Sequence, residues 1–157
     1  MEERIPMTEA GYERLSDELK KLKGVERPAI IAAIADARSH GDLSENAEYH
    51  SAREKQSFIE GRIMELESVV GRVNVIKVKT IKSDSVVFGA TVTLADEDDK
   101  EVTYKIVGEY ESDASKKEIS IKSPVAKALI GKKVGDEVSV KVPAGVKVYE
   151  VVNIKYV

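Results

Sequence analysis

The 157-residue sequence contains no cysteine and no tryptophan, and only two phenylalanines. The absence of cysteine removes disulfides, thiolate metal sites and cysteine nucleophiles together. Aromatic residues make up 5% of the chain while charged residues make up 34%. That balance suits long exposed helices with a modest core better than one large globule. No apolar run approaches the roughly 20 residues needed to cross a bilayer. The start, Met1-Glu2-Glu3-Arg4-Ile5-Pro6-Met7, has no basic segment leading into an apolar stretch, so a soluble, cytoplasmic chain without a secretory signal is expected. Basic excess is missing as well: the net charge is −3 and the isoelectric point about 5.6. Residues 1–76 hold 11 basic and 15 acidic side chains, and residues 77–157 hold 14 and 13. A protein that grips duplex phosphates usually presents a strongly basic face, so strong autonomous DNA binding is not expected. Phosphate loops, nucleophile elbows and zinc signatures are also lacking. Asp96-Glu97-Asp98-Asp99 lacks the glycine and the terminal glutamate of a calcium loop. No complete active site is expected in this chain.

What is present is two helical runs followed by strands. Thr8 is placed to cap a helix, with Glu9 in its first turn. Helix formers continue to His40, with a break or kink expected just before Pro28 and an end at Gly41. A second run starts between Asp42 and Asn46 and extends to about Asn74. It carries Ile59, Ile63, Leu66, Val70 and Val73 at spacings of 4, 3, 4 and 3, a heptad seam. Tyr12 with Val73, Leu15 with Val70, Leu19 with Leu66 and Leu22 with Ile63 all total 85 in residue number, as partners in an antiparallel hairpin must keep a constant total. The next pair, Glu26 with Ile59, fails beside Pro28. Ala29, Ala33, Ala37, Ala47 and Ala52 suggest a slender end, and at about 1.5 Å per residue the rod would be roughly 50 Å long. After Asn74 the period shortens to two, and residues 85–88, 90–94, 102–107, 138–142 and 146–151 read as strands. Asp96–Lys100 and Pro143–Gly145 read as turns. Ser123-Pro124 reads as the start of a short helix ending near Gly131. The fold class is α+β, an N-terminal antiparallel coiled-coil hairpin (1–76, tip at about 41–48) followed by a compact antiparallel β-rich domain with one short helix (77–157).

The hairpin turn, His40-Gly41-Asp42-Leu43-Ser44-Glu45-Asn46-Ala47-Glu48-Tyr49, carries three carboxylates and no Lys or Arg. Carboxylates at the end of a rod suit a hard divalent cation such as Mg²⁺, which is held by one or two of them plus other oxygens. An ordinary account stands beside this one. Asp42-x-x-Glu45 has the spacing of a capping box, and Ser44 competes as the N-cap. His40 and His50 flank the turn, but a zinc site without cysteine is disfavoured. Tyr49 either stacks on a base or packs on its own helix. Lys20, Lys21, Lys23 and Arg27 form a basic cluster that is either a solvated face or a nucleic-acid contact.

Several segments together resemble a known family. They are Ile5-Pro6-Met7-Thr8 with Gly11, Arg27-Pro28-Ala29-Ile30-Ile31-Ala32-Ala33-Ile34, Gly41 through His50, and Arg53-Glu54. In the second half they are Val87–Val92, Tyr104–Gly108, Ser123–Ala126 and Leu129-Ile130-Gly131. The order and content of these segments resemble the GreA/GreB family of bacterial transcript cleavage factors, on its GreA side. The resemblance implies that the β domain is FKBP-like and docks at the rim of the secondary channel of bacterial RNA polymerase, while the hairpin enters the channel. Asp42 and Glu45 would act in the active centre of a backtracked polymerase. Asp42 would help hold a Mg²⁺ shared with polymerase, and Glu45 would position or activate the attacking water. Ser44, Asn46, Tyr49 and Arg53 are candidate contacts to the nascent RNA 3′ end, and Ser123, Pro124, Leu129 and Ile130 are candidates for polymerase docking. No cofactor is expected on the chain alone, and a monomer is expected. With no Trp and only Phe58 and Phe88, a prolyl isomerase pocket is not expected. The competing readings are a regulator that blocks the same channel without stimulating cleavage, and a plain coiled-coil adaptor.

Overall fold

The computed structural model describes residues 3–41 and 46–157. The helical hairpin is built from α1 (Glu9–Lys21), α2 (Arg27–Arg38) and α3 (Ala47–Val70). Thr8 caps α1 as expected, its hydroxyl oxygen accepting the Gly11 N–H at 3.1 Å. The expected break before Pro28 is instead a π-helical turn, Leu22–Glu26, in which the Arg27 N–H donates to the Leu22 carbonyl. Pro28 has no N–H to give to the carbonyl four residues earlier, and its ring crowds that carbonyl. Widening the turn just before it relieves both problems without ending the helix.

The wide turn takes up one extra residue, and this explains where the seam departs from the sequence pattern. Leu15 and Leu22 are buried, but the next buried positions are Ile30, Ile34 and Ala37, so the step across the turn is eight residues where a heptad seam takes seven. Ala29 and Ala33, expected in the seam, are exposed for that reason. Toward the tip the inward residues of α2 are Ile30, Ile34 and Ala37, and Tyr49, Ala52 and Gln56 of α3 are half-buried. On α3 the buried residues are Ile59, Ile63, Leu66 and Val69. Val70 is half-buried, and Val73 has left the helix for a strand.

Five strands form one sheet in the order β5 (Glu118–Ser120), β4 (Glu101–Val107), β3 (Thr91–Ala95), β7 (Gly145–Lys155), β6 (Glu137–Val142). All neighbours are antiparallel except β4 and β5. Its core holds Val86, Ala90, Val92, Leu94, Ile106, Val138, Val140 and Val151, with Ala126 and Leu129 of the short helix α4 (Pro124–Leu129) packed among them. Ser123 caps α4 through Ala126 N–H at 3.2 Å, and Gly131 follows it at φ +87°. Residues 85–88 do not form the expected strand. Ser85 makes a single bridge to Lys133, Val86 exchanges backbone bonds with Lys132 O and Gly131 N–H, both at 2.8 Å, and Tyr156 adds a tie, its hydroxyl donating to Ser85 O at 2.6 Å and accepting from Val87 N–H at 3.1 Å.

Two short strands, β1 (Ile5–Thr8) and β2 (Val73–Ile76), pair in parallel from Ile5–Val73 to Thr8–Ile76. Because of this pairing the compact units are Glu13–Arg72 and, separately, the segment ending at Tyr12 joined to Val73–Val157. The division read from the sequence, 1–76 against 77–157, places both short strands with the hairpin, whereas by contacts they group with the sheet unit. Among the described residues no helix is long and apolar enough to cross a membrane.

Candidate functional site

The hairpin tip is built from the ends of α2 and α3. α2 closes with tight bonds, Ser39 N–H to Asp36 O at 3.0 Å and His40 N–H to Ala37 O at 3.2 Å. The helix therefore stops at Arg38, three residues before Gly41, which has φ +123°. Across the gap, α3 is capped by Asn46, whose side-chain oxygen accepts the Tyr49 N–H at 3.1 Å. The same amide donates through Nδ2 to the Ala37 carbonyl at 2.6 Å. One side chain thus satisfies an orphan donor of one helix and binds the carboxyl end of the other. The α3 cap that the sequence offered to Asp42 or Ser44 belongs to Asn46, because its backbone is extended (φ −87°, ψ 98°) immediately before the helix. Asp42, Ser44 and Glu45 lie outside the described residues.

Tyr49 packs on its own hairpin. It is half-buried, with the Arg38 guanidinium 5.7 Å from its ring centroid and the His50 ring edge-on at 5.5 Å. His40 faces Asp36 at 3.5 Å. Arg53 is exposed and lines a shallow groove with Ile31, Ile34, Ala35, Arg38 and Gln56. Arg38 was not among the candidates from sequence, although its place one turn before the acidic stretch was a readable signal.

The basic cluster divides in two. Lys20 and Lys21 are exposed. Lys23 pairs with Glu67 at 3.0 Å, and Arg27 forms a two-pronged pair with Glu60 at 2.7 and 2.8 Å. That bond to Glu60 raises the Arg27 pKa, and its bond to Arg27 lowers that of Glu60. Arg62 behaves alike beside Glu18, at 2.9 Å through both prongs. Lys23 and Arg27 therefore brace the hairpin, and only Lys20 and Lys21 of the four remain an open basic face.

Among the docking candidates, Pro124 and Ile130 are exposed and Ser123 is half-buried with its hydroxyl engaged in the cap. Leu129 is fully buried in the sheet core. It cannot touch a partner, because α4 turns its Ala126–Leu129 face onto the sheet. Among the described residues no group of three or more His, Cys, Asp or Glu is placed to hold a metal ion.

Residues 5–75 match the family model described as transcription elongation factor, N-terminal. Residues 81–156 match that of transcription elongation factor, GreA/GreB, C-terminal. The chain is 62% identical over 155 residues to transcription elongation factor GreA of Ruegeria pomeroyi, covering 98% of this chain and 99% of that protein. The factor of the same name from Hyphomonas neptunium is 61% identical over 155 residues, with the same coverage. Among solved structures, GreA factor homolog 1 of Thermus thermophilus is 26% identical with a TM-score of 0.45, over 97% of this chain and 99% of that one. A GreA/GreB factor of Nitrosomonas europaea is 24% identical with a TM-score of 0.44, over 99% and 100%.

Proposed function

Because this chain belongs to the GreA/GreB family of transcription elongation factors, we propose that it enters the secondary channel of backtracked bacterial RNA polymerase and stimulates Mg²⁺-dependent cleavage of the nascent RNA near its 3′ end. The observation that carries this reading is the cap on α3. Asn46 holds both helix ends, so the cap of α3 comes from Asn46 and not from the Asp42-x-x-Glu45 spacing. Asp42 and Glu45 stand, with Glu48, in a stretch that has no Lys or Arg from His40 to Tyr49.

The donor chemistry fits Mg²⁺, which takes hard oxygen ligands. Two carboxylates do not fill an octahedral shell, so the ion would be held jointly with the polymerase. When bound, such an ion stabilises the charge of an in-line displacement at the phosphate. The chain's own contribution is narrower: Asp42 adds an oxygen ligand, and Glu45 orients a water or takes its proton. The sheet unit supplies the polymerase contact, with Pro124 and Ile130 as its exposed candidates. On this reading the chain is no enzyme by itself and completes a site whose other ligands lie on its partner.

The test adds the protein to stalled, backtracked polymerase complexes carrying 3′-labelled RNA and Mg²⁺. Wild type should release short labelled fragments. Asp42→Asn should bind equally well and lose roughly a hundredfold in rate, about 2.7 kcal/mol of barrier. Binding of both proteins with cleavage by neither would overturn the reading in favour of a channel-blocking regulator.

A further inference from the structure

Strand β6 ends the five-stranded sheet, so one of its edges has no strand beside it. Its side chains alternate: Val138 and Val140 are buried in the core, while Glu137, Ser139 and Lys141 are exposed on the other face. The backbone alternates as well, because antiparallel neighbours exchange bonds at every second residue. The Val151 N–H donates to the Asp136 carbonyl at 2.9 Å, and the register runs on from Glu137 opposite Glu150 to Val142 opposite Gly145. Val138, Val140 and Val142 therefore bond to β7, and Glu137, Ser139 and Lys141 turn their N–H and C=O groups to the open edge. Such an edge is a template for another strand, and charges on it ordinarily deter pairing. Here the two charges stand two residues either side of Ser139. Glu137 has Glu150 as its cross-strand neighbour in its own sheet, a like charge that disfavours the pair. Among the described residues neither Glu137 nor Lys141 has an ion-pair partner.

We propose that β6 pairs with β6 of a second copy of this chain, antiparallel about a two-fold axis at Ser139, joining two five-stranded sheets into one. In that register Ser139 meets Ser139, Val138 meets Val140, and Glu137 of each copy meets Lys141 of the other. Every outward N–H and C=O of the three exposed residues finds a partner. Each Glu137, with Glu150 on one side, gains an ammonium on the other. Shifted registers lose this match. Centring on Glu137 or Lys141 sets like charges face to face. Centring on Val138 or Val140 sets each charge opposite an uncharged residue, in the second case with Pro143, which has no N–H, opposite Glu137. The charge pattern thus selects a second copy as the occupant. One short strand gives a contact below the roughly 1,200 Å² of standard interfaces, so the pairing is transient. The chain stays monomeric when dilute and pairs when concentrated. Only the sheet unit takes part, so the pairing is independent of the cleavage reading.

Sedimentation of the full chain between about 10 µM and about 1 mM, the range suited to a transient contact, reads the association. Hydrogen exchange at the Ser139 amide locates it. The weight-average mass of wild type should rise from 17.3 kDa toward a dimer across that range, with exchange at Ser139 slowing in step. Glu137→Lys and Lys141→Glu each turn two opposite-charge pairs into two like ones and should weaken association roughly tenfold. The double reversal restores both the pairs and the net charge, and should associate as wild type does. An equimolar mixture of the two single variants should associate more tightly than either alone, because each supplies what the other lacks. A wild type that stays monomeric to the top of the range, or single reversals that associate unchanged, overturns the proposal. A monomeric wild type whose single reversals lose polymerase binding overturns it too, and assigns the edge to a strand of polymerase.

Discussion

Asn46 does at the hairpin tip what two residues usually do. Its carbonyl oxygen and its amide nitrogen face different helices, so the two contacts separate by substitution. Asn46→Asp keeps an oxygen for the Tyr49 N–H but replaces the donor to Ala37 with a second acceptor. Asn46→Ala removes both. We expect Asn46→Ala to destabilise the hairpin by about 1–2 kcal/mol and Asn46→Asp by an intermediate amount, read as loss of helical circular dichroism in urea. An Asp variant as unstable as Ala would assign most of the effect to the Ala37 bond. Tyr156 is a comparable single-residue tie in the sheet unit. Tyr156→Phe leaves Val87 N–H without its acceptor and Ser85 O with the Ser83 hydroxyl as its remaining donor, and should cost about 1–3 kcal/mol in thermal unfolding.

The π turn decides the phase of everything between it and the tip. Deleting Val25, which is exposed within the turn, together with Pro28→Ala, removes both the extra residue and the reason for it. The expected product is an uninterrupted α-helix with Ile30, Ile34 and Ala37 still inward. Deleting Ala32 instead rotates the residues after it by about 100° and exposes Ile34, at about 1.5–3 kcal/mol for that side chain alone. Helical content and melting temperature distinguish the two deletions. The Arg27–Glu60 pair bridges α2 and α3 close to this turn. Glu60 is held below its usual pKa by its bond to Arg27. Its contribution is therefore present above the ordinary carboxylate range and fades as pH falls through the lowered value. The stability difference between wild type and Glu60→Gln should shrink in acid and in 1 M salt. A difference that persisted in acid would show that the pair's charge is not what matters.

On the scale of the whole molecule, what was readable in the sequence was whatever repeats. The heptad spacing of Ile59, Ile63 and Leu66, all buried, gave the hairpin, while the seam positions expected at Val70 and Val73 are a half-buried residue and a strand residue. The alternation in β3, β4 and β6 gave the sheet, and Ser123-Pro124 gave α4. What was not readable depends on approach in space. The four-residue strands β1 and β2 are too short to show a period, and each needs the other across the hairpin. Asn46 reads as an ordinary polar residue until Ala37 is beside it. Leu129 looks available until the face of a six-residue helix is known. The grouping of both short strands with the sheet unit has a measurable consequence. A fragment 77–157 lacks Ile5 and Met7, both buried. It also leaves Glu111, a buried carboxylate in the turn after β4, without the Thr8 N–H and hydroxyl that donate to it. A fragment joining the segment up to Tyr12 to residues 73–157 through a short linker keeps both. The second should melt higher by about 10 °C or more, at roughly 4–8 °C per kcal/mol for a domain of this size. Equal melting temperatures would mean that the short strands add nothing to the sheet unit.

The distance along the chain between Thr8 and Glu111, 103 residues, sets an order of events at the ribosome. The chain of the hairpin unit has been made once Arg72 has emerged. The strand at Ile5–Thr8 has no sheet to join at that moment. Ile5 and Met7 stay exposed until β2, β4 and the Glu111 turn have been synthesised. Each new molecule therefore carries a hairpin and an unprotected apolar strand while the 39 residues from 73 to 111 are made, the interval in which a chaperone has most to bind.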